Sequence, residues 1–236
     1  MLSSREQNPN GQGPSRADLA RAGFINTTRA QRLLADPALT PLLEATPVGL
    51  LLADLADSPD PDQATLALVR LCEASPKPQQ LAQDLKRSSH RRRLLALLGA
   101  SSALGDFLIA NPDSVACLDQ EFDAEKVAAT MTSRVKRALD AGSIPDAVHG
   151  LRLGYYQALC AIAAGDLTHP QPLQYMPQVG LQLSQLADAA VAAALPIAYR
   201  KAGASDQLAF CVIAMGKTGA RELNYISDVD VMYVVG

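Results

Sequence analysis

The chain of 236 residues contains no tryptophan, and aromatic residues make up only 4% of it. Its apolar set is instead mostly leucine and alanine, which lose little entropy in a helix and pack closely between neighbouring helices. A surplus of basic charge is also missing. The net charge is −3, so no global positive field is available to hold nucleic acid. Cysteine is sparse: Cys72, Cys117, Cys160 and Cys211 stand roughly forty to fifty residues apart, with no pair at CxxC or metal-ligand spacing. All four sit in apolar stretches and read as small buried hydrophobes in a reducing compartment. No run of eighteen apolar residues occurs, so no membrane span is expected. The opening "MLSSREQNPNGQGPS" has no apolar core and does not read as a signal peptide, so the expected location is the cytoplasm.

What the sequence does contain is 48% hydrophobic and 19% charged residues, a globular balance with room for one large or two small domains. Residues 1–16, rich in Ser, Asn, Gln, Gly and Pro, read as a disordered leader. Residues 17–203 read as a helical region cut by proline. Asp36-Pro37, Thr40-Pro41, Thr46-Pro47, Ser58-Pro59, Ser75-Pro76 and Asn111-Pro112 each place a capping residue before a proline, where a helix can start. "RRRLLALLGASSALGDFLIA" (91–110) repeats leucine at three and four, and 146–167 stacks Val148, Leu151, Tyr155, Leu159 and Ile162 on one stripe. A further helix is expected from Pro177 to a glycine cap at Gly203, kinked or interrupted at Pro196. At Leu208 the period changes. "LAFCVIAM" (208–215) and "VDVMYVV" (229–235) read as two buried strands joined through a glycine turn. The fold class is thus a mainly α helical region leading into an incomplete α/β domain over 204–236.

The basic run "KRSSHRRR" (86–93) reads as the solvated start of a helix, since no aromatic residues are interleaved with it. His90, His149 and His169 are too far apart in sequence for a ligand set and read as surface or helix-end residues. Gly216-Lys217-Thr218 follows a strand, but a phosphate loop needs a glycine where Cys211 stands, and four loop residues that are absent. Asp228 and Asp230 are more informative. On a strand, residues i and i+2 share a face, so two carboxylates would project side by side and repel. A Mg²⁺ pair held by their oxygens would offset that repulsion, and so would plain solvation of an edge strand. Spacing alone leaves both readings open.

A strand ending at Gly216, eleven intervening residues, then Ser227-Asp228-Val229-Asp230 opening a second strand resembles nucleotidyltransferases of the DNA polymerase β type. In that arrangement the glycine turn lets backbone N–H groups approach phosphates while the aspartates hold metal. Lys217 and Arg221 would put positive charge near those phosphates, or are simply surface charge. More closely still, "IAMGKTGARELNYISDVDVMYV" resembles the signature of the bifunctional glutamine synthetase adenylyltransferase/adenylyl-removing enzyme family, through Gly216-Lys217, Gly219, Arg221-Glu222-Leu223-Asn224 and Ser227-Asp228-x-Asp230. The segments 94–118 and 151–168 resemble helices that precede this domain, whereas Thr218, Ala220 and Ile226 depart from the more usual residues.

The resemblance implies a chain that forms the front of the first of two catalytic domains. The N-terminal copy removes AMP from a glutamine synthetase tyrosine by phosphorolysis, releasing ADP, and the C-terminal copy adds AMP from ATP. It assigns Asp228 and Asp230 as catalytic and Mg²⁺-binding residues, and Gly216, Lys217 and Ser227 as nucleotide-binding ones. ATP or ADP and phosphate are the implied substrates or products. Glutamine synthetase is the implied protein substrate and a PII-type nitrogen-signalling protein a further partner, with no nucleic acid or membrane. A third carboxylate is expected on a later strand, so this chain alone is expected to be inactive. The competing reading is a helical interaction module whose terminal Asp-x-Asp strand is structural.

Overall fold

The computed structural model describes residues 13–204 and 209–236. The leader expected over 1–16 falls mostly outside the described residues, as does Leu208 of the first expected strand. The chain divides into two compact units, Met1–Val115 and Ala116–Gly236.

In the first unit eight helices follow one another: α1 (Arg16–Arg21), α2 (Thr27–Leu34), α3 (Thr40–Ala45), α4 (Val48–Ala56), α5 (Pro61–Ala74), α6 (Pro78–Asp84), α7 (Ser88–Ala100) and α8 (Ser102–Ala110). Side-chain caps set several of the starts. Ser15 Oγ accepts from the Asp18 N–H at 3.2 Å, and the Asp18 carboxylate accepts from the Ser15 N–H at 3.1 Å, a reciprocal box that opens α1. α5 starts at Asp60-Pro61, with Asp60 Oδ1 accepting from the Gln63 N–H at 2.9 Å. The expected start at Ser58-Pro59 is therefore displaced, because the Ser58 hydroxyl is spent on the Leu55 carbonyl (2.6 Å) at the end of α4. Asp36-Pro37 and Asn111 begin 3₁₀ turns, Pro37–Leu39 and Pro112–Asp119, rather than α-helices. The stretch 91–110 is two helices. Ser101 is extended (φ −144°) and its hydroxyl accepts from the Leu104 N–H at 3.3 Å, ending α7 and starting α8.

The apolar face of α5 (Ala64, Leu68, Leu71, Cys72) is buried in this unit's core with Leu94, Leu95, Leu97 and Leu98 of α7. The basic run that opens α7 is only partly a solvated face. His90 is 1% exposed and Arg91 3%. Arg91 donates from Nε to Asp54 Oδ2 at 2.6 Å and from Nη1 to the Leu85 carbonyl at 2.9 Å, so its charge closes the end of α6 against α4.

Among the described residues the second unit is built on three long helices that share a core, α9 (Ala124–Asp140), α10 (Ile144–Leu167) and α11 (Pro172–Ala202). Their core joins Met131, Val135 and Leu139 of α9, Ala147, Ala158 and Ile162 of α10, and Val179, Leu183, Leu186 and Ala193 of α11. The stripe expected on α10 holds except at Val148, which is exposed: Ile162 is in the core and Leu151, Tyr155 and Leu159 pack against it, and the small residues Ala147, Gly154 and Ala158 are buried beside them. Small residues face inward because α9 lies close, and a Cβ on Gly154 would stand 2.7 Å from Met131 Cγ. α11 begins at Pro172, five residues before the expected start, and runs through both Pro177 and Pro196 to Gly203, whose φ of 65° closes it as expected. Its length and hydropathy would suffice to cross a bilayer, and 44% of its most apolar window is buried inside the fold.

After α11 come β1 (Phe210–Ala214), a single turn α12 (Gly216–Gly219) and β2 (Val231–Val235). The strands pair antiparallel, from Phe210 opposite Val235 to Ala214 opposite Val231. Both were expected to be buried, yet no residue of either strand is. Ile213, Met232, Tyr233, Val234 and Val235 are all exposed. Two strands have too little surface to enclose a core of their own. The cysteine expectation divides likewise: Cys72, Cys117 and Cys160 are buried, and Cys211 on β1 is exposed.

Candidate functional site

The site grows out of the end of β1. Met215 is extended, and the chain then turns at Gly216 with φ +54°, a region that side chains rarely adopt. Gly219 closes the α12 turn so tightly that a Cβ there would lie 2.6 Å from the Ala214 carbonyl oxygen. No phosphate-loop wrap forms around Gly216-Lys217-Thr218. Thr218 is 3% exposed, its hydroxyl has no hydrogen-bond partner among the described residues, and only Lys217 of the pair reaches solvent.

The chain returns to β1 at Asp230. The Met215 N–H donates to the Asp230 carbonyl at 2.8 Å, one pair beyond the ladder. This brings the Asp230 carboxylate over the glycine turn, with Oδ2 2.8 Å from the point where a Gly216 Cβ would be. Asp228 and Asp230 both precede β2, which starts at Val231, so the same-face argument from strand spacing does not hold for them. The ladder stops there because Gly216 turns β1 away after Ala214. What places Asp230 is the Met215 hydrogen bond and the missing side chain at 216. Both carboxylates are exposed, and neither makes a hydrogen bond or ion pair among the described residues.

Asp228 is presented by a tight turn. Asn224 Oδ1 accepts from the Ile226 N–H at 3.1 Å, while Ser227 Oγ accepts from the Asn224 N–H at 3.3 Å. Ser227 thus locks the turn that carries Asp228.

Sequence reasoning missed the fastening of this loop to α11. Leu223 is buried in the helical core, and its N–H donates to Ser184 Oγ at 3.3 Å. Ser184 in turn donates to the Gly180 carbonyl at 2.9 Å. A Cβ at Gly180 would already touch Glu222 Cα and the Leu223 carbonyl oxygen at 3.4 Å. Arg221 takes a left-handed conformation (φ 63°) and its Nη1 meets Asp188 Oδ2 at 3.1 Å. Tyr225 donates to Asp166 Oδ2 at 3.0 Å, and burial together with the Asp166 charge pushes its phenol pKa upward. The one legible signal was Leu223, an apolar residue inside a polar loop.

The loop and α11 leave two hollows. One, of about 380 Å³, lies between Ala187, Val191 and Leu195 of α11 and Phe210, Val212 and Val231 of the sheet. The other, of about 670 Å³, is bounded by Met176, Gly180 and Leu183 on α11 and by residues 220–225.

The Asp230 carboxylate over the glycine turn and the exposed Asp228 carboxylate are hard oxygen donors of the type Mg²⁺ prefers. Among the described residues no group of three or more His, Cys, Asp or Glu comes together.

Residues 91–236 match the family described as glutamate-ammonia ligase adenylyltransferase. The chain belongs to this family. It is 34% identical over 94% of its length to the bifunctional glutamine synthetase adenylyltransferase/adenylyl-removing enzyme of Bifidobacterium longum subsp. infantis. It is 40% identical over 96% of its length to the enzyme of that name from Mycobacterium avium, and 39% over 92% to that of Streptomyces avermitilis. The chain spans only 21–23% of the length of these relatives. No solved structure matches it. The family resemblance of the Gly216–Asp230 segment is therefore confirmed, and the matched range contains α7 from Arg91 onward, α8 to α11 and the sheet.

Proposed function

We propose that this chain is the front part of a nucleotidyltransferase of the DNA polymerase β type that controls glutamine synthetase by adenylylation, and that it belongs to the adenylyl-removing half. The observation that carries the reading is the seating of the Asp230 carboxylate over Gly216, with both aspartates free of internal partners. Exposed carboxylates without a partner among the described residues are poor stabilising elements and good ligands.

In the removing direction an oxygen of inorganic phosphate bonds to the α-phosphorus of the tyrosyl-AMP ester. The bond from that phosphorus to the tyrosine oxygen breaks, ADP leaves, and the tyrosine oxygen takes up a proton. Asp228 and Asp230 would hold Mg²⁺, which when bound neutralises charge on the attacking and leaving oxygens. The Gly216 turn lets backbone approach the phosphates without a side chain intervening, and Lys217, exposed on α12, supplies positive charge beside them. Ser227 orients the turn from which Asp228 projects, and in this reading its hydroxyl, which accepts from the Asn224 N–H, is also a nucleotide contact. ATP is the substrate of the adding direction. Glutamine synthetase is the protein partner, with regulation by a PII-type signalling protein, in the cytoplasm.

The two strands have no buried residue, so further chain is needed to cover them, and residues 1–236 alone are inactive in this reading. The test is ADP release from adenylylated glutamine synthetase and phosphate by the whole protein containing this chain. Asp228→Asn and Asp230→Asn should each abolish it without changing the melting temperature. Retained ADP release in the double variant would sink the assignment.

A further inference from the structure

We infer that Asp188 on α11 is a positioning residue for the carboxylate pair, acting through Arg221. The inference rests on the nucleotidyltransferase reading of Asp228 and Asp230, and of the two paired residues only Asp188 lies outside the motif that suggested that reading. Arg221 is the non-glycine residue with positive φ among the described residues, at 63°. An arginine gains nothing locally from that conformation, because its Cβ crowds the following carbonyl. Something outside the loop must hold it, and Asp188 Oδ2 stands 3.1 Å from its Nη1.

The consequence runs in both directions along the chain. Before Arg221, α12 closes with the Ala220 N–H on the Gly216 carbonyl at 3.0 Å, so the turn and Arg221 are contiguous. After it, the reversed backbone sends the Glu222 N–H to the Lys217 carbonyl at 2.9 Å and the Leu223 N–H to Ser184 Oγ at 3.3 Å. Leu223 then enters the helical core, and Asn224 starts the turn that ends at Ser227 beside Asp228. Position 221 is therefore where the glycine cradle under Asp230 and the turn carrying Asp228 are set relative to each other. Asp188 belongs to the same helix as Gly180 and Ser184, eight and four residues earlier, so one helix face fastens all three points. The ion pair is half exposed on both sides, at 53% and 45%, and such pairs add little to global stability. A residue that matters here for placement should leave the melting temperature almost unchanged.

The experiment uses this chain and Mn²⁺ alone as the probe, followed by electron paramagnetic resonance of the free ion, with amide exchange at Glu222 and Leu223 as a second readout. Asp188→Asn is expected to speed exchange at those two amides by roughly fivefold and to weaken Mn²⁺ binding by about tenfold. The charge-reversed pair Asp188→Arg/Arg221→Asp should restore both, since aspartate tolerates the left-handed region. In an Arg221→Gly background, where glycine needs no partner to adopt positive φ, adding Asp188→Asn should change neither readout further. Unchanged exchange and Mn²⁺ affinity in Asp188→Asn would overturn the positioning role while leaving the aspartate site standing. A wild-type chain whose Mn²⁺ binding is indifferent to Asp228→Asn/Asp230→Asn would remove the site and the positioning role together. A melting temperature lowered by many degrees in Asp188→Asn would make the residue a stability element and overturn the inference as well.

Discussion

The Asp230 carboxylate occupies the space that a side chain at position 216 would need, its Oδ2 lying 2.8 Å from an ideal Gly216 Cβ. Gly216→Ala must therefore move the carboxylate or the turn, and it adds the cost of a left-handed alanine, about 1–2 kcal/mol. The expected result is a modest loss of stability in urea unfolding and a loss of Mn²⁺ binding of about tenfold or more. Binding that survives intact would mean that Asp230 reaches the metal from elsewhere.

Asp54 and Arg91 form a pair that is nearly closed to solvent, with side chains 12% and 4% exposed. Removing one partner strands a buried charge. Asp54→Ala should cost about 3–5 kcal/mol in urea unfolding, whereas Asp54→Leu/Arg91→Met should recover much of that loss. Equal losses in the single and double variants would show that the hydrogen bond from Arg91 to Leu85 matters more than the pair.

Gly154 sets the approach of α10 to α9. Gly154→Ala gains about 1 kcal/mol of helix propensity but pushes a methyl group to 2.7 Å from Met131 Cγ. Overpacking of that kind typically costs about 1–3 kcal/mol, so a net loss is expected. The sign should reverse in a Met131→Ala background, where the methyl group fills the space vacated. Calorimetric melting of the four proteins in this cycle decides the matter.

Thiol chemistry should separate Cys211 from the rest. In the native chain a thiol reagent should modify Cys211 at once and reach Cys72, Cys117 and Cys160 only on unfolding. Burial, with a smaller contribution from the Glu73 charge, pushes the Cys72 thiol up to about 12 from an ordinary 9.0. The neighbouring Cys117 and burial push Cys160 upward too. Because the folded state resists ionisation, their contribution is complete below pH 9 and is lost as pH rises toward 12. Unfolding free energy should fall over that window, and less steeply in Cys72→Val.

How much could be read without coordinates depended on how local each feature is. The helical character, the Gly203 cap and the strand pair around Gly216 all follow from periodicity and turn chemistry within a few residues. The helix break at Ser101 was hidden, because leucine spacing continues across it while one serine hydroxyl does the capping. The inward role of the small residues on α10 was hidden for another reason. Close helix packing rewards small residues, so Gly154 and Ala158 face inward and Val148 does not. At the site, Asp228 and Asp230 stood out as a spaced pair, but the argument from strand geometry failed because β2 begins only at Val231.

By itself the sequence determined the family. A glycine turn followed by Ser-Asp-x-Asp is a local pattern, and its family membership is confirmed by the match over residues 91–236. Only the tertiary structure decided how these residues are held. The Asp188–Arg221 pair joins residues 33 positions apart, and the Ser184–Leu223 contact joins residues 39 apart. No local pattern encodes such separations. They depend on α11 packing in the three-helix core and on a backbone at Arg221 that its own side chain disfavours.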